Sequence, residues 1–472
     1  MAALASFLTL PLCAQSATVD FGPNAIGGAW TELAVHGGTG AAGGDCSVAA
    51  LGDLNGDGVV DYAVGMPQEP GYTGNPAGVV NVHSGVDQSL LFSLVGPNVG
   101  DEFGTSVCTA GDMDGDGVAD IAVSAPGFDG VSPNTGALFV YSGATGALVW
   151  MVYGAQASSQ FTFGVEIVGG HDLTGDGSPD IALAAPDWDL GNLNPGAVLV
   201  FSNPGVLAAT IPYPYAADPA YAAFGSFGRS LAVGDYDGDQ IGDLLIGAPS
   251  GKLLAGTATG QVFLVHGATL QVVKTWNGHP FDSRNNFFGL GVAMGDLNRD
   301  GFADLAITTG NPSGGGHSDL LVLLSPWPGG FNSWIQFDSS YPFAFTGPAA
   351  VAGDLDGDGY ADLAADTIQP ISGQADIRVF SLEPEPRFLT LVPTILPRRV
   401  IDIAAGLGDV NGDGCDDLLH SWGQNAGTEP AATLNSLDPY FQWDHSEMRV
   451  GSGPLNWADV QFPASEAGKM YW

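Results

Sequence analysis

Oxygen-bearing side chains recur at positions 1, 3, 5 and 9 of a nine-residue segment that occurs seven times in the sequence. The segments begin at Asp53, Asp112, Asp172, Asp235, Asp296, Asp354 and Asp409, so successive starts lie 55 to 63 residues apart. A tight loop with alternating oxygens is what a hard cation such as Ca²⁺ needs, and the backbone carbonyl at position 7 can add a ligand. The pattern therefore predicts one cation-binding loop in each of seven repeats.

The predicted ligands are the side chains at positions 1, 3, 5 and 9 and the main-chain carbonyl at position 7. They are Asp53, Asn55, Asp57, Val59 and Asp61; Asp112, Asp114, Asp116, Val118 and Asp120; Asp172, Thr174, Asp176, Ser178 and Asp180; Asp235, Asp237, Asp239, Ile241 and Asp243; Asp296, Asn298, Asp300, Phe302 and Asp304; Asp354, Asp356, Asp358, Tyr360 and Asp362; and Asp409, Asn411, Asp413, Cys415 and Asp417. We expect up to seven Ca²⁺ ions, because Mg²⁺ demands a stricter octahedron and keeps more water. A single copy would be equally consistent with an ordinary Asp-Gly turn, but seven copies at one spacing favour metal binding.

Position 12 of each segment distinguishes these loops from EF-hands, which carry Glu there. The seven residues are Val64, Val123, Leu183, Ile246, Ile307, Ala365 and His420, and none is acidic. Position 12 falls in a short apolar run, such as residues 120 to 126, that is bounded by turn residues and too short for a helix. Each loop is therefore predicted to lead into a β-strand.

Each repeat has the plan of four short strands. In the second repeat these are residues 106–111, 121–125, 137–141 and 147–153, and the acidic loop separates the first two. Four short strands per repeat of this length, with glycine-rich turns and no helical periodicity, are typical of a β-propeller blade. The sequence predicts an all-β fold, a seven-bladed β-propeller with a Ca²⁺-binding loop in each blade.

Two short motifs flank the loops in most repeats. Phe-Gly precedes the first strand at Phe103, Phe163, Phe227 and Phe288, and Ala-Pro or Gly-Ala-Pro follows the second strand at Pro126, Pro186 and Pro249. Together with the acidic loop, these motifs resemble the FG-GAP repeat, best known from the propeller of integrin alpha chains, over residues 46 to 450. The resemblance implies that the acidic loops share one face. It implies also that the connections after the second and fourth strands form the opposite, ligand-facing side.

Some repeats depart from the pattern. The sixth has Phe345-Thr-Gly347 in place of Phe-Gly, and Phe-Gly is missing before the first and seventh loops. In the fourth loop, Gln240 replaces the glycine that the sharp turn at position 6 favours, a change that costs on the order of 1 kcal/mol. We expect the tightest cation sites in the second and sixth repeats, which have four Asp and a glycine at position 6.

The net charge of the chain bears on its partners, and the two chain ends bear on its location. The formal net charge of −40 argues against nucleic acid as a partner, because such binders need a cationic surface. Residues 1–17 have the character of a secretion signal cleaved near Ser16, although no Lys or Arg precedes the apolar run, and lipidation at Cys13 is the alternative. Residues 18–45 are predicted to form a leader with a strand at 30–35 that can close the ring. Residues 46–450 are predicted to form the propeller, and residues 451–472 a C-terminal tail. No later segment reaches the roughly 20 apolar residues of a transmembrane helix, and a secreted or cell-surface monomer is expected.

Cysteine spacing leaves two interpretations open. Cys46 and Cys108 lie in neighbouring repeats, but they precede the following loops by seven and four residues, so they are not equivalent positions. We therefore favour free, partly buried thiols over a disulfide, and no spacing typical of a cysteine metal site is present.

No catalytic constellation is visible, since the sequence has neither a nucleophile elbow nor an HExxH motif. His83 and His266 stand at matching third-strand ends, which favours a structural role for both. The leading interpretation is a secreted Ca²⁺-binding propeller that serves as a binding or adhesion module for an extracellular protein or glycan. The alternatives are a propeller enzyme, such as a polysaccharide lyase or phosphoesterase, and a structural module of a larger extracellular assembly. Aromatic residues in the ligand-side connections, such as Trp188, Tyr213 and Trp276, either cap the blade ends, which we favour, or bind the ligand.

Overall fold

A computed structural model describes most of the chain. The described residues are 17–20, 30–37, 46–67, 77–130, 133–154, 164–186, 188, 195–216, 226–251, 260–278, 287–310, 318–324, 335–338, 344–368, 375–382, 387–392, 400–403, 406–422 and 431–437. The predicted secretion signal before residue 17 and the C-terminal tail lie outside this part of the chain.

The described residues form 29 β-strands. Two come from the leader, β1 (Ala17–Asp20) and β2 (Trp30–Gly37). The next twelve are β3 (Ser47–Gly52), β4 (Asp61–Met66), β5 (Val79–His83), β6 (Leu90–Val95), β7 (Val107–Gly111), β8 (Asp120–Ala125), β9 (Ala137–Tyr141), β10 (Leu148–Tyr153), β11 (Ile167–His171), β12 (Asp180–Ala185), β13 (Ala197–Ser202) and β14 (Val206–Pro212). They are followed by β15 (Ser230–Gly234), β16 (Asp243–Ala248), β17 (Gln261–His266), β18 (Gln271–Asn277), β19 (Gly291–Gly295), β20 (Asp304–Thr308), β21 (Asp319–Leu323), β22 (Ile335–Asp338), β23 (Ala344–Gly353), β24 (Asp362–Ile368), β25 (Ala375–Ser381) and β26 (Arg387–Val392). The last three are β27 (Val400–Ile403), β28 (Leu418–Trp422) and β29 (Ala431–Leu437).

Six blades of the propeller are each built on four consecutive antiparallel strands. Blade one is β3–β6, blade two β7–β10, blade three β11–β14, blade four β15–β18, blade five β19–β22 and blade six β23–β26. Blade five carries β1 as a fifth strand, parallel to β22. The remaining sheet, which we call the closing sheet, has the order β2-β29-β28-β27 and so joins the leader to the C-terminal strands.

The predicted fold of seven like blades, each with a Ca²⁺-binding loop, is therefore wrong in that form. The all-β propeller is correct, but six blades follow the predicted plan and the closing sheet is a composite of two distant chain segments. The physical reason is that only β27, β28 and β29 follow blade six among the described residues, so β2 completes their sheet by pairing antiparallel with β29. The Ser421 hydroxyl on β28 donates a hydrogen bond to the Cys46 carbonyl at the start of blade one, 2.6 Å away.

Aromatic side chains of the Phe-Gly motif fill the space between neighbouring blades. Phe103 is fully buried and packs against Val80 of blade one and Ile121 of blade two. Phe227 packs in the same way between blades three and four. Gly78 permits this packing because a Cβ at its position would stand 2.1 Å from the Phe103 carbonyl oxygen, and its φ of +87° is one that only glycine adopts readily.

The second strand of each blade lies deepest in the core. Every residue of β4, β8, β12 and β16 is buried, whereas the outermost strands β6 and β14 expose several side chains. Among the described residues, no disulfide is formed and no helix has the length and hydropathy of a membrane span.

Candidate cation sites in the acidic loops

All seven acidic loops connect the first strand of a sheet to the second. In blade two, for example, β7 ends at Gly111 and β8 begins at Asp120, the last residue of the loop pattern. Because adjacent strands are antiparallel, the connections after the first and third strands share one end of a blade, and those after the second and fourth share the other. We call these the acidic end and the opposite end.

The carboxylate at position 1 organises the turn of the loop. In the first loop, Oδ1 of Asp53 accepts hydrogen bonds from the N–H groups of Gly56 (2.7 Å) and Asp57 (3.1 Å), and Oδ2 accepts one from Gly58 (2.8 Å). These donors lower the pKa of Asp53, and the Gly58 N–H has the largest effect. Loops two, three and seven show the same set of three bonds.

Position 5 in all seven loops, and position 3 in loops one, two, five, six and seven, also brace the loop with one oxygen. The N–H at position 7 donates to Oδ1 at position 5 in all seven loops, as from Val118 to Asp116 at 2.8 Å. Where asparagine replaces aspartate at position 3, its amide oxygen accepts the same N–H that a carboxylate would, as from Asp57 to Asn55 at 2.9 Å. In the second loop, these hydrogen bonds engage Oδ1 of Asp114 and Oδ1 of Asp116.

The aspartate at position 9 has a structural role that the sequence analysis did not predict. In all seven loops it is almost completely buried, and its Oδ2 accepts the N–H of position 2 at 2.8 to 3.0 Å. In blades one, two and four its Oδ1 accepts the N–H of a glycine just after the third strand: Gly85, Gly143 or Gly267. This aspartate thus ties the acidic loop to the turn beside it. The glycine that follows each of these third strands is the sequence signal that could have revealed the tie.

Burial raises the pKa of these aspartates above the usual range. Desolvation is the largest cause for Asp61, Asp120 and Asp180, and it raises the pKa of Asp243 to about 7. Their neighbouring carboxylates at positions 3 and 5 add repulsion in several loops. The ionised form of these groups is therefore costly unless a cation balances it.

Neighbouring loops are linked by backbone hydrogen bonds. The N–H at position 8 donates to the position 1 carbonyl of the preceding loop: Gly242 to Asp172 at 2.7 Å, Ala303 to Asp235 at 2.7 Å and Asp416 to Asp354 at 2.8 Å. These links hold successive acidic loops side by side. Pro179 stands at position 8 of the third loop and has no N–H to donate, so the second and third loops lack this bond.

Three loops bring carboxylates close enough together to hold a metal ion. The groups are Asp112, Asp114 and Asp120 in loop two, Asp235, Asp237 and Asp243 in loop four, and Asp354, Asp356 and Asp362 in loop six, with ligand oxygens within 4.8 Å of one another. These are the three loops that have aspartate at all four positions. Such sets of oxygen ligands suit a hard divalent cation.

The sixth loop fits a cation best. Asp362 is fully buried, and its Oδ1 and the Oδ1 of Asp354 are buried oxygens with no hydrogen-bond partner. Burial, followed by repulsion from Asp356 and Asp358, raises the pKa of Asp362 well above its usual range. A bound cation would satisfy buried carboxylate oxygens that have no hydrogen-bond donor.

The two histidines at third-strand ends, both predicted to be structural, have different surroundings. His83 is buried, stacks on the Tyr62 ring at 5.5 Å between centroids, and places Nδ1 3.1 Å from the Gln88 carbonyl. His266 is part-exposed instead, and its Nε2 lies 3.3 Å from Oδ2 of Asp237 in the fourth acidic loop.

Two of the aromatic residues predicted at the opposite end, Tyr213 and Trp188, pack in the structure as the favoured prediction of capping expects. Tyr213 is 1% exposed, contacts the rings of Phe227 and Phe263, and donates a hydrogen bond to Gln261. Trp188 packs against the core between blades two and three. Tyr215, in the same aromatic connection as Tyr213, is 40% exposed. The region 334–344 lies mostly outside the described residues.

A central channel runs between the first strands of the sheets. It has a volume of about 780 Å³ and is lined by residues of β3, β7, β11, β15, β19, β23 and β27. Its lining is mixed in polarity, with small apolar side chains, hydroxyl groups such as those of Ser106 and Thr109, and two charged residues, Glu166 and Arg229. The central channel could not be predicted from the sequence, because the channel forms only when the ring of sheets closes.

Fold and loops together define a class of protein: an all-β propeller with a cation-type acidic loop between the first two strands of its blades. Comparison with protein-family models narrows this class, because the FG-GAP repeat model matches residues 103–141, 163–201, 227–265 and 288–321. The matches begin at the Phe-Gly motifs of blades two to five, so the resemblance inferred from the sequence is confirmed. The chain carries four FG-GAP repeats and resembles the N-terminal propeller of integrin alpha chains.

Curated relatives agree with that resemblance. Integrin alpha-5 of Xenopus laevis is 34% identical over 146 residues, which cover 28% of this chain and 14% of the relative. Integrin alpha-V of Gallus gallus is 29% identical over 210 residues (42% and 19%), and integrin alpha-4 of Xenopus laevis is 31% identical over 216 residues (44% and 20%). The chain thus spans a fifth or less of the length of these relatives. They are named as integrin alpha chains and not as enzymes, which agrees with the predicted absence of catalysis.

Proposed function

We propose that this protein is an extracellular β-propeller stabilised by Ca²⁺ and that it acts as a binding or adhesion module for a protein or carbohydrate ligand. The observation that carries the proposal is the sixth acidic loop. There, buried carboxylate oxygens of Asp354 and Asp362 have no hydrogen-bond donor, and a cation that prefers oxygen ligands would be coordinated by them. The similarity to integrin alpha chains supports the binding role.

The ligands proposed for Ca²⁺ are the residues at positions 1, 3, 5, 7 and 9 of the loops, with up to seven ions. Ca²⁺ is preferred over Mg²⁺ because four or five protein oxygens in a flexible loop match its larger coordination number. Ca²⁺ is abundant outside cells, so the same ions would hold the acidic end rigid wherever the protein is secreted or displayed. The net charge of −40 makes nucleic acid an unsuitable ligand.

The ligand surface is proposed to lie at the opposite end of the blades. The nine-residue acidic segment has the same length in all seven repeats, whereas the connections at the opposite end vary in length and composition between repeats. Variable loops on a rigid scaffold are where binding specificity usually resides. Tyr215, which follows the last strand of blade three, is a part-exposed aromatic side chain on that surface.

The test is binding of the protein to arrays of extracellular proteins and glycans in Ca²⁺ and in EDTA. We expect a ligand that is retained in Ca²⁺, released without it, and weakened by Tyr215→Ser. Val86→Ser is the matched control, because Val86 is 50% exposed in the turn between β5 and β6 at the acidic end. Binding that depends on Val86 and not on Tyr215 would contradict the proposed surface. No retained ligand on either array in Ca²⁺ would instead favour a purely structural module.

A further inference from the structure

The fourth acidic loop differs from the others in having a histidine beside its carboxylates. Nε2 of His266, the last residue of β17, lies 3.3 Å from Oδ2 of Asp237 and 3.8 Å from Oδ2 of Asp239. The ligand atoms of the three residues lie within 4.8 Å of one another. Across the part of the chain that the structure describes, no other such group combines an imidazole with carboxylates.

The imidazole ring is oriented by its other nitrogen. Nδ1 of His266 lies against the carbonyl oxygen of Gly267, and the Thr269 hydroxyl is 3.5 Å away. A carbonyl oxygen only accepts hydrogen bonds, so Nδ1 carries a proton and Nε2 is the atom that faces the two carboxylates. Unless a proton or a metal ion lies between them, the Nε2 lone pair and two carboxylate oxygens would repel one another. A histidine whose far nitrogen donates to a backbone carbonyl is the usual arrangement of a metal ligand.

The two carboxylates keep these oxygens free from the loop's own hydrogen bonds. Asp239 uses Oδ1 to accept the Ile241 N–H at 2.9 Å, while its Oδ2 is the atom on the His266 side. The side chains of His266, Asp237 and Asp239 are 24%, 31% and 38% exposed, so solvent metal ions can reach the group and water can complete their coordination. His83, at the same place in blade one, is instead buried against Tyr62.

We propose that Asp237, Asp239 and His266 form a site for a borderline divalent metal such as Zn²⁺. Imidazole nitrogen binds Zn²⁺, Cu²⁺ and Ni²⁺ well, whereas Ca²⁺ and Mg²⁺ take oxygen ligands, so His266 changes the class of metal that the fourth loop selects. One nitrogen and two carboxylate oxygens leave an open coordination position for water. This inference departs from the proposed function at the fourth loop alone, where Asp237 and Asp239 would bind Zn²⁺ in place of Ca²⁺, and it requires neither Ca²⁺ in the other loops nor a ligand at the opposite end.

The experiment is a calorimetric titration of Zn²⁺ into the full chain in excess Ca²⁺, with Cu²⁺ as the paramagnetic probe in pulsed electron paramagnetic resonance. We expect Zn²⁺ to bind in the presence of Ca²⁺, and the first equivalent of Cu²⁺ to show coupling to an imidazole nitrogen. His266→Gln should weaken Zn²⁺ binding by about tenfold or more and remove the nitrogen signal. His171→Gln is the matched control, because His171 is an exposed histidine directly before the third acidic loop, and it should behave as the unmodified protein.

Equal Zn²⁺ affinity in the His266→Gln variant and the unmodified protein would overturn the proposal, as would Cu²⁺ binding without an imidazole signal. His266 would then be an imidazolium counter-ion to the loop. Thermal unfolding and Ca²⁺ uptake measured on the same samples separate this outcome from misfolding. The same measurements show whether the other loops still bind Ca²⁺ when the fourth loop does not bind Zn²⁺. They also show whether the fourth loop binds Zn²⁺ when the other loops do not bind Ca²⁺.

Discussion

The second and sixth acidic loops have the same four aspartates and the same two glycines, but their buried oxygens are satisfied differently. In the second loop, Asp120 receives the Met113 N–H on Oδ2 at 2.8 Å and the Gly143 N–H on Oδ1 at 3.0 Å. In the sixth loop, Asp362 receives the Leu355 N–H at 2.9 Å on Oδ2, while its buried Oδ1 has no donor. Protein donors therefore reach both carboxylate oxygens of Asp120 but only one carboxylate oxygen of Asp362.

Burial widens this difference. Asp114 and Asp116 of the second loop are exposed to water, whereas Asp356 of the sixth is only 8% exposed. Arg299 from the fifth loop covers the sixth, with its guanidinium carbon 5.5 Å from the centre of the Tyr360 ring. One sequence pattern thus gives two kinds of loop. We therefore expect the second loop to fold on its own hydrogen bonds and the sixth to depend more strongly on a cation.

The largest expected effect comes from Asp120→Asn. Three N–H groups donate to the Asp120 carboxylate, and an asparagine has only one oxygen, so its amide group would face at least one of those donors. The free energy of unfolding in EDTA should fall by about 1 to 3 kcal/mol, the cost of leaving a buried polar group unsatisfied. Chemical denaturation measures it, and an unchanged free energy would show that the backbone ties are not structural.

The same change in the sixth loop should have the opposite sign. In EDTA, Asp362→Asn removes a buried charge from among like charges and keeps an oxygen for the Leu355 N–H, so the free energy of unfolding should rise by about 1 to 2 kcal/mol. In Ca²⁺ the gain should disappear, because a ligand of the cation is lost. Denaturation of both variants in both conditions tests the comparison directly. Destabilisation by Asp362→Asn in EDTA would mean that the two loops are alike.

A smaller effect is expected from Arg299→Gln. The arginine places a fixed positive charge beside the sixth loop and stacks on Tyr360, so its loss should destabilise the cation-free protein by roughly 0.5 to 1 kcal/mol. The Ca²⁺ affinity of the sixth loop should rise a few-fold, since a competing positive charge is removed. Calorimetric titration checks this, with Lys274→Gln on β18 as the control. Lower Ca²⁺ affinity in Arg299→Gln would contradict the assigned role.

The smallest effect concerns position 6, where the fourth loop differs from the second and sixth. Gln240 has φ of +69°, a left-handed conformation that glycine adopts more readily, and its N–H is bonded to Asp235 at 2.8 Å. Gln240→Gly should raise the free energy of unfolding by about 0.5 kcal/mol. The reciprocal Gly117→Gln in the second loop should lower it by about 1 kcal/mol. Thermal unfolding of the pair decides whether backbone strain contributes to the difference between loops.

Local sequence patterns were sufficient to predict the loops, the strands and the type of repeat. The alternation of Asp and Gly set the turns, and the apolar runs after position 9 became the fully buried second strands such as β8. Even the interrupted motif Phe345-Thr-Gly347 keeps its function, because Phe345 is buried against Phe380 and a register shift after Phe345 absorbs the extra residue. These features depend on residues close together in the chain.

Features that depend on distant segments could not be predicted in the same way. The closing sheet pairs β2 with β29, and its alignment has no signal in the period of the repeats. The contact of His266 with the fourth loop depends on where the end of β17 lies beside that loop, and the corresponding His83 shows that residue type alone does not decide it. The donors that distinguish the second loop from the sixth belong to a different hairpin, 23 residues further along the chain in the case of Gly143.

The central claim is that the acidic loops hold Ca²⁺ and that the fold depends on it. The most direct test is thermal unfolding of the protein in EDTA, in Ca²⁺ and in Mg²⁺, with bound ions counted by calorimetry. A site at ten times its dissociation constant stabilises the fold by about 1.4 kcal/mol, so several occupied loops should raise the midpoint strongly in Ca²⁺ and little in Mg²⁺. A midpoint that responds to neither Ca²⁺ nor EDTA, with no ions bound, would contradict the account and leave the acidic loops as simple turns.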